Sequence, residues 1–269
     1  MDELTGYARL EFSGSPTELT VRAQGNYRVI RGFRHINSAL VQLLHLGPGM
    51  VGGDYYRLEV EVAPGATGVV VNPAAQLILT SAGEPAHSQV EIQVHSGGNL
   101  VFLPSPTLAY PGARLEQNTR IELEHGARLA WLEVYRTTGF HELSLRTTAK
   151  VDGRPLLREG LELGRASGTG ILDGNNALGS ALIYPGSAPN IHWQQGYLTA
   201  LPTGGLYSRG LGPEPSTLVP KLLGLILENS ASWDWIPPEF FRFAPALSQY
   251  TSLTVGPNPS EGVKQTLKP

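Results

Sequence analysis

The sequence predicts a mainly β fold, helically wound into stacked sheets in the manner of a β-solenoid, with a small α-helical part near its C-terminal end. Three observations predict it. Short runs rich in β-branched and aromatic residues alternate apolar with polar side chains between Gly and Ser clusters, the pattern of half-buried strands. A strand–turn–strand unit recurs as RLEVEVAPGATGVVV, QVEIQVHSGGNLVFL and RIELEHGARLAWLEV. Its turn glycines, Gly65, Gly97 and Gly126, recur at nearly even spacing, within the range of periods that marks repeat architectures. Each unit presents one apolar face that it cannot bury alone, and stacking the units buries those faces in one continuous core. The competing arrangement is a sandwich of ordinary sequential hairpins.

In chain order, GYARLEFSG, ELTVRAQG and YRVIRGF read as strands and hairpins. Residues 40–66 form an apolar strand, a loop with Gly47, Gly49, Gly52 and Gly53, then Asp54 and an alternating strand. The three repeat copies follow. LRTTAKVDGRPLLREGLEL, turning at Gly153, reads as a fourth and weaker copy. Residues 165–215 are loop-rich. STLVPKLLGLILENS, residues 216–230, is the helix candidate. Ser216 or Thr217 is placed to cap it, Pro220 falls in its first turn, and Leu218, Leu222, Leu225 and Ile226 share a face. Residues 1–255 read as a single β domain, and residues 256–269 as a disordered tail.

Composition excludes several functions. The 269 residues carry a formal net charge of −3 with no long run of either sign, which gives a non-specific nucleic-acid binder no basic face. Cysteine is absent, so a transition metal has only imidazole, carboxylate, amide or backbone oxygen donors. The N-terminal residues lack a secretory pattern, and no window approaches the ~20 apolar residues of a membrane span. The expected location is therefore the cytoplasm, with no membrane partner. No phosphate-binding G-x-x-x-x-G-K-[ST] loop, dinucleotide-binding glycine motif or G-x-S-x-G nucleophile turn occurs. His141-Glu142 opens like a zinc-protease motif, but Leu145 stands where the second histidine is required. The seven histidines show no i, i+2 or i, i+4 pair, so each reads first as a packing or surface residue. The expectation is a protein that is not an enzyme.

LLHLGPGMVGGD, ending at Asp54, resembles the L-x-x-P-G-G-x-V-G-G-D segment of the urease accessory proteins UreD/UreH. LEVEVAPGA resembles that family's strand–PGA–strand segment. The stretch from VEIQVHSGG through LPSPTLAYPGARL to GARLAWLEVYR follows the family order with similar spacing. A family Gly-Arg-x-x-x-Gly-Glu element is altered here. Arg136 matches, whereas Gly139 and Glu142 match only with a displacement of one against the other. VVVNPAAQLILTSAG stands where the family has a more polar and basic strand. The resemblance covers about residues 7–165.

The resemblance implies a non-catalytic scaffold, mostly β and helically wound. Its implied partners are UreF, the GTPase UreG and the urease apoprotein, in an accessory complex that admits a dimer. It implies no tightly bound cofactor, with nickel carried in transit through a polar path. Asp54, Glu142 and the adjacent His141 are the candidate transit ligands, and the alternatives are a turn cap at Asp54 and an arginine ion pair at Glu142. Leu222, Ile226, Trp233, Trp235, Phe240 and Phe241 are the candidate partner surface, the alternative being that they seal the core. The rival function is a β-solenoid or sandwich module that binds protein or carbohydrate through aromatics such as Tyr56 and Tyr110, unrelated to urease.

Overall fold

The computed structural model describes residues 5–35, 37–164, 172, 174–187, 190–193 and 195–229. In chain order the strands are β1 (Gly6–Ser13), β2 (Glu18–Gly25), β3 (Tyr27–His35), β4 (Ser38–His45), β5 (Tyr55–Val62), β6 (Thr67–Val71), β7 (Gln76–Ile78), β8 (Ala86–Val94) and β9 (Asn99–Leu103). They continue with β10 (Thr107–Ala109), β11 (Ala113–Leu123), β12 (Arg128–Arg136), β13 (Phe140–Val151), β14 (Arg154–Gly164), β15 (Ala177–Tyr184), β16 (Ile191–Trp193), β17 (Gly196–Ala200) and β18 (Leu206–Gly212). One helix, α1 (Pro215–Asn229), follows.

The strands form two sheets. The first runs β14-β13-β11-β8-β5-β1-β2, and the main path of the second runs β16-β17-β18-β15-β12-β9-β6-β4-β3. In the first sheet β1, β5, β8, β11 and β13 are parallel neighbours. In the second, β4, β6, β9 and β12 are parallel. The chain thus winds from a first-sheet strand through a tight turn to a second-sheet strand and back, as the repeat predicts. The register carries the repeat: Tyr55 pairs with His87 and Ala86 with Leu115, so each residue lies beside its counterpart in the next copy.

The turns explain the glycines. Ala66, Gly98 and Ala127 each donate their N–H to the carbonyl three positions back, closing tight turns with Gly65, Gly97 and Gly126 in third place. Those glycines have φ of 71°, 68° and 71°, the left-handed value a type II turn demands there. Successive turns stack, since Gly65 N–H donates to Ser96 O and Gly97 N–H to His125 O. A side chain at position 97 meets open space, its nearest neighbour being Gly65 N at 4.0 Å. Gly97→Ala therefore tests backbone strain alone. It is expected to cost about 1–2 kcal/mol, read as a lower urea midpoint with an unchanged slope.

The fourth copy departs from the prediction. Asp152 and Gly153 both take positive φ, 48° and 74°. Two such residues make the primed turn of a hairpin, so β14 folds back antiparallel on β13 within the first sheet. Winding stops there, and β15 joins the second sheet antiparallel to β12.

Burial follows each sheet's covering. First-sheet strands alternate, as in β5 and β8, because one face meets the core and the other solvent. β6 and β15 are buried along nearly their whole length because both faces of the second sheet are covered. Between the sheets pack Leu10, Phe12, Tyr56, Ile92, Leu115 and Trp131. Tyr56 is 1% exposed, so it belongs to the core and not to a binding face. On the outer side, Ala130, Leu132, Val134, Ala181 and Ile183 pack against Leu218, Val219, Leu222, Leu223 and Ile226 of α1.

The helix begins one residue before the predicted start. Pro215 is its first residue, Glu214 O accepts the N–H groups of Thr217 and Leu218, and Ser216 and Thr217 lie inside it. Pro220 consequently falls past the first turn. Leu222 and Ile226 are both fully buried. A Cβ at Gly179 of β15 would stand 2.6 Å from Leu222 Cδ1, so the glycine is what lets the helix approach. The surface expected for a partner at Leu222 and Ile226 is thus occupied by the chain's own second sheet. Trp233, Trp235, Phe240, Phe241 and residues 256–269 lie outside the described residues.

Candidate functional site

The interior is not wholly apolar. β12 sends Leu129, Trp131 and Tyr135 into the inter-sheet core and Ala130, Leu132 and Val134 toward α1. Strand alternation therefore places Glu133 inward, where it is 7% exposed. Gln117 Nε2 donates to Glu133 Oε1 at 2.9 Å, Thr119 Oγ1 to the same oxygen at 3.3 Å, and Tyr135 OH to Oε2 at 2.8 Å. Among the described residues Glu133 forms no ion pair. Burial pushes its carboxyl up to about 7, against the pull of the Tyr135 and Thr119 donors, and the nearby Glu159 charge adds to the rise.

A second carboxylate lies next to it. In the second sheet Glu133 pairs in register with Ser180, and Ser180 with Arg209. Ser180 Oγ donates to Glu159 Oε1 at 3.2 Å, Arg209 Nη2 pairs with the same oxygen at 2.8 Å, and Tyr207 OH donates to Oε2. One rung of the sheet thus carries a polar row through the core. Glu159 is neutralised by Arg209, and Glu133 is not.

Glu133 also borders a cavity of about 40 Å3, lined in part by His45, Gln76, Thr107, Gln117 and Tyr135. That volume holds a few water-sized particles. His45 lies against Tyr27 and Tyr56, with ring centroids 4.4 and 5.2 Å away. Burial lowers its pKa to about 4, so the imidazole is neutral at pH 7. Its Nε2 is buried with no hydrogen-bond partner among the described residues. The cavity therefore offers an imidazole nitrogen without a partner among the described residues and a carboxylate that ionises near neutrality. Both are ligand types for a borderline divalent cation.

The predicted ligands lie elsewhere. Asp54 closes the glycine loop: its Oδ2 accepts Val51 N–H at 2.8 Å and its Oδ1 accepts the Thr5 hydroxyl at 3.2 Å. His141 and Glu142 open β13. Ala113 pairs with Phe140 and Arg114 with Glu142, which leaves His141 as the extra residue of a bulge. His141 and Glu142 share an open concavity with Glu116, Arg146 and Glu162. Asp54 and Glu142 lie near the same end of the first sheet, but β8 and β11 separate β5 from β13. Three strand spacings amount to roughly 14 Å, too far for one ion. On the outer face, His95 meets Glu124 through Nδ1 at 2.8 Å and Glu61 through Nε2 at 3.1 Å. Opposite ring nitrogens cannot deliver both acids to one cation. Among the described residues no three His, Asp or Glu side chains gather as a metal site.

Sequence reasoning missed the interior row, although its signal was present. Gln117 and Thr119 occupy core-facing positions of the alternating strand ARLEQNTRIEL, and Glu133 interrupts the apolar run LAWLEV.

Fold and site together define a class: a helically wound β protein, its coils joined in parallel, whose core borders a polar, carboxylate-bearing cavity. The chain matches the UreD urease accessory protein family over residues 4–219 and belongs to that family. It is 32% identical over 152 residues to the urease accessory protein UreD of Alcanivorax borkumensis, which is 53% of this chain and 52% of that one. It is 29% identical over 202 residues to UreD of Actinomyces naeslundii, covering 66% of this chain and 74% of that one. With UreD 1 of a Synechococcus strain it is 33% identical over 114 residues, 42% of this chain and 43% of the relative. The chain spans about half the length of several of the curated relatives it matches. No described helix is long and apolar enough to cross a membrane.

Proposed function

We propose that this chain serves urease maturation as a non-catalytic scaffold in the cytoplasm. It docks on the urease apoprotein, connects it to UreF-like and UreG-like partners, and gives nickel a transient route through its polar interior. The observation that carries the route is the buried, uncompensated Glu133 in the cavity that His45 also lines. A buried carboxylate without a cation is costly, and a passing divalent cation supplies the missing charge. Too few ligands converge to retain it, which suits a carrier that must release its load. His141 and Glu142, in their open concavity, act as a weak outer collecting point. Asp54, with both carboxylate oxygens engaged by Val51 and Thr5, secures its loop as well as any ion it meets. The remaining partner surface is assigned to Trp233, Trp235, Phe240 and Phe241.

The test is complementation in a urease-producing strain deleted for its own UreD. This chain, co-expressed with that strain's other accessory proteins, is expected to restore urease activity and to co-purify with the UreF-like partner. A chain that is folded and abundant yet neither restores activity nor captures the partner overturns the proposal. Asp54→Asn and Glu142→Gln, assayed in the same strain, are expected to lower activation only partly. Full activation in both assigns these acids to structure alone.

A further inference from the structure

The winding ends abruptly at its N-terminal side. β2 is the last strand of the first sheet and β3 the last of the second. Between them lies a groove of about 290 Å3 lined by Leu19 and Val21 of β2, Val29, Gly32 and Arg34 of β3, and Ala39 of β4. Leu19, Val21 and Val29 pack against the inter-sheet core yet are only partly buried, because no further coil covers them among the described residues. A stacked β fold needs its terminal coil capped, and a free strand edge is a template for another strand.

The two edges differ. β3 is bulged, with Val29 opposite Leu43 and Arg31 opposite Gln42, so Ile30 is left over and stands 53% exposed. Bulges spoil an edge for pairing. β2 keeps one continuous antiparallel register with β1 along its whole length, and no proline interrupts it. Its Leu19 and Val21 face the groove, while Glu18, Thr20 and Arg22 are exposed.

The charge around this end is opposite to that of the chain. From Glu18 to His35 there are four arginines, Arg22, Arg28, Arg31 and Arg34, against one acid, whereas the chain carries −3. The acid is already paired, Arg34 holding Glu18 at 3.1 Å. A second copy seated here would set arginines against arginines. The chain's own residues 230–269 carry three acids and three bases and bring no compensating charge.

We propose that the open end receives an extended acidic segment of a partner protein, added as a strand along the free edge of β2. Alternate side chains of that segment are apolar and enter the groove beside Leu19 and Val21. The intervening ones are acidic and lie on the exposed face of the sheet beside Arg22. Backbone hydrogen bonds supply affinity and the alternation supplies selectivity. A nucleic acid would use the arginines but leave both the apolar floor and the edge amides unused.

The test is fluorescence anisotropy with the full-length chain and a labelled peptide of alternating Glu and Val, about six residues long to match a typical strand. Binding is expected to be saturable and salt-sensitive, and to add hydrogen-exchange protection at β2 amides. Arg22→Glu, a change at an exposed position that leaves the fold intact, is expected to weaken it about tenfold. A block peptide of the same composition, with the acids and valines segregated, is expected to bind far more weakly. Equal binding of the block peptide or of a lysine–valine peptide overturns the proposal. So does no effect of Arg22→Glu, tighter binding of a single-stranded oligonucleotide, or self-association of the chain that Arg22→Glu disrupts.

Discussion

Glu133→Gln is expected to make the protein more stable at pH 8 and useless for urease activation. The two halves have separate causes. In the unfolded chain the carboxyl ionises near its ordinary value, whereas in the folded chain burial holds it up to about 7. Between those values the folded protein keeps a proton that the unfolded chain has lost, so stability falls as pH rises through this window. Above pH 7 the folded state carries the full cost of a desolvated charge, roughly 3 kcal/mol for a shift of this size. Glutamine keeps the size of the side chain and still accepts from Gln117 or Thr119, but it never ionises. Melting curves of both proteins should therefore converge near pH 4.5, the carboxyl's ordinary value, and separate by several degrees at pH 8, the variant being higher. Activation in the complementation assay should fall at least tenfold, because the proposed route loses the charge that would meet the cation. A variant that is stabilised and fully active disposes of the transit role. One that is destabilised at pH 8 shows that the Glu133 hydrogen bonds outweigh its desolvation.

Leu222→Ala is expected to destabilise the protein by about 3 kcal/mol, the middle of the range for deleting a buried leucine. Leu222 is fully buried over Gly179, where the backbone of β15 leaves no room for repacking from below. Gly179→Val is the complementary change and should be as damaging, since its first carbon would already stand 2.6 Å from Leu222 Cδ1. Urea denaturation measures both. Capture of a UreF-like partner, compared at a temperature where Leu222→Ala remains folded, should match the parent chain. Lost capture by a folded variant returns Leu222 to the partner surface.

Sequence reasoning carries the strands and the turns and stops at these two residues. Leu58, Val60 and Val62 announce their inward face by alternation, and Gly65, Gly97 and Gly126 announce turns that only glycine makes easily. Both signals are local, and both survive into the structure. The end of the winding was also legible, since Asp152-Gly153 is the dipeptide of a two-residue hairpin turn, but a repeat-based reading overrides it. Leu222 shows a real limit. An apolar helix face declares that something covers it, and only the close approach at Gly179 says that the cover is the chain's own sheet. Glu133 is harder still. Its partners Gln117 and Thr119 come from β11, and the neighbouring Glu159 from β14, and no spacing along the chain connects them. Asp54 was singled out for its motif, and the structure shows what its carboxylate holds.

The stacked register also sets an order of assembly. Each parallel strand from β5 to β13 finds a neighbour one coil earlier in the chain, a separation that a growing chain can satisfy coil by coil from its N-terminal side. The chamber around Glu133 keeps to that order. Its lining comes from β3, β4, β5, β7, β8, β9, β10 and β11, all ahead of Glu133 in the chain, and from β12 itself. Burial of Glu133 therefore comes with the winding and takes up a proton near neutral pH, and refolding followed with a pH indicator should show that uptake together with the strand structure.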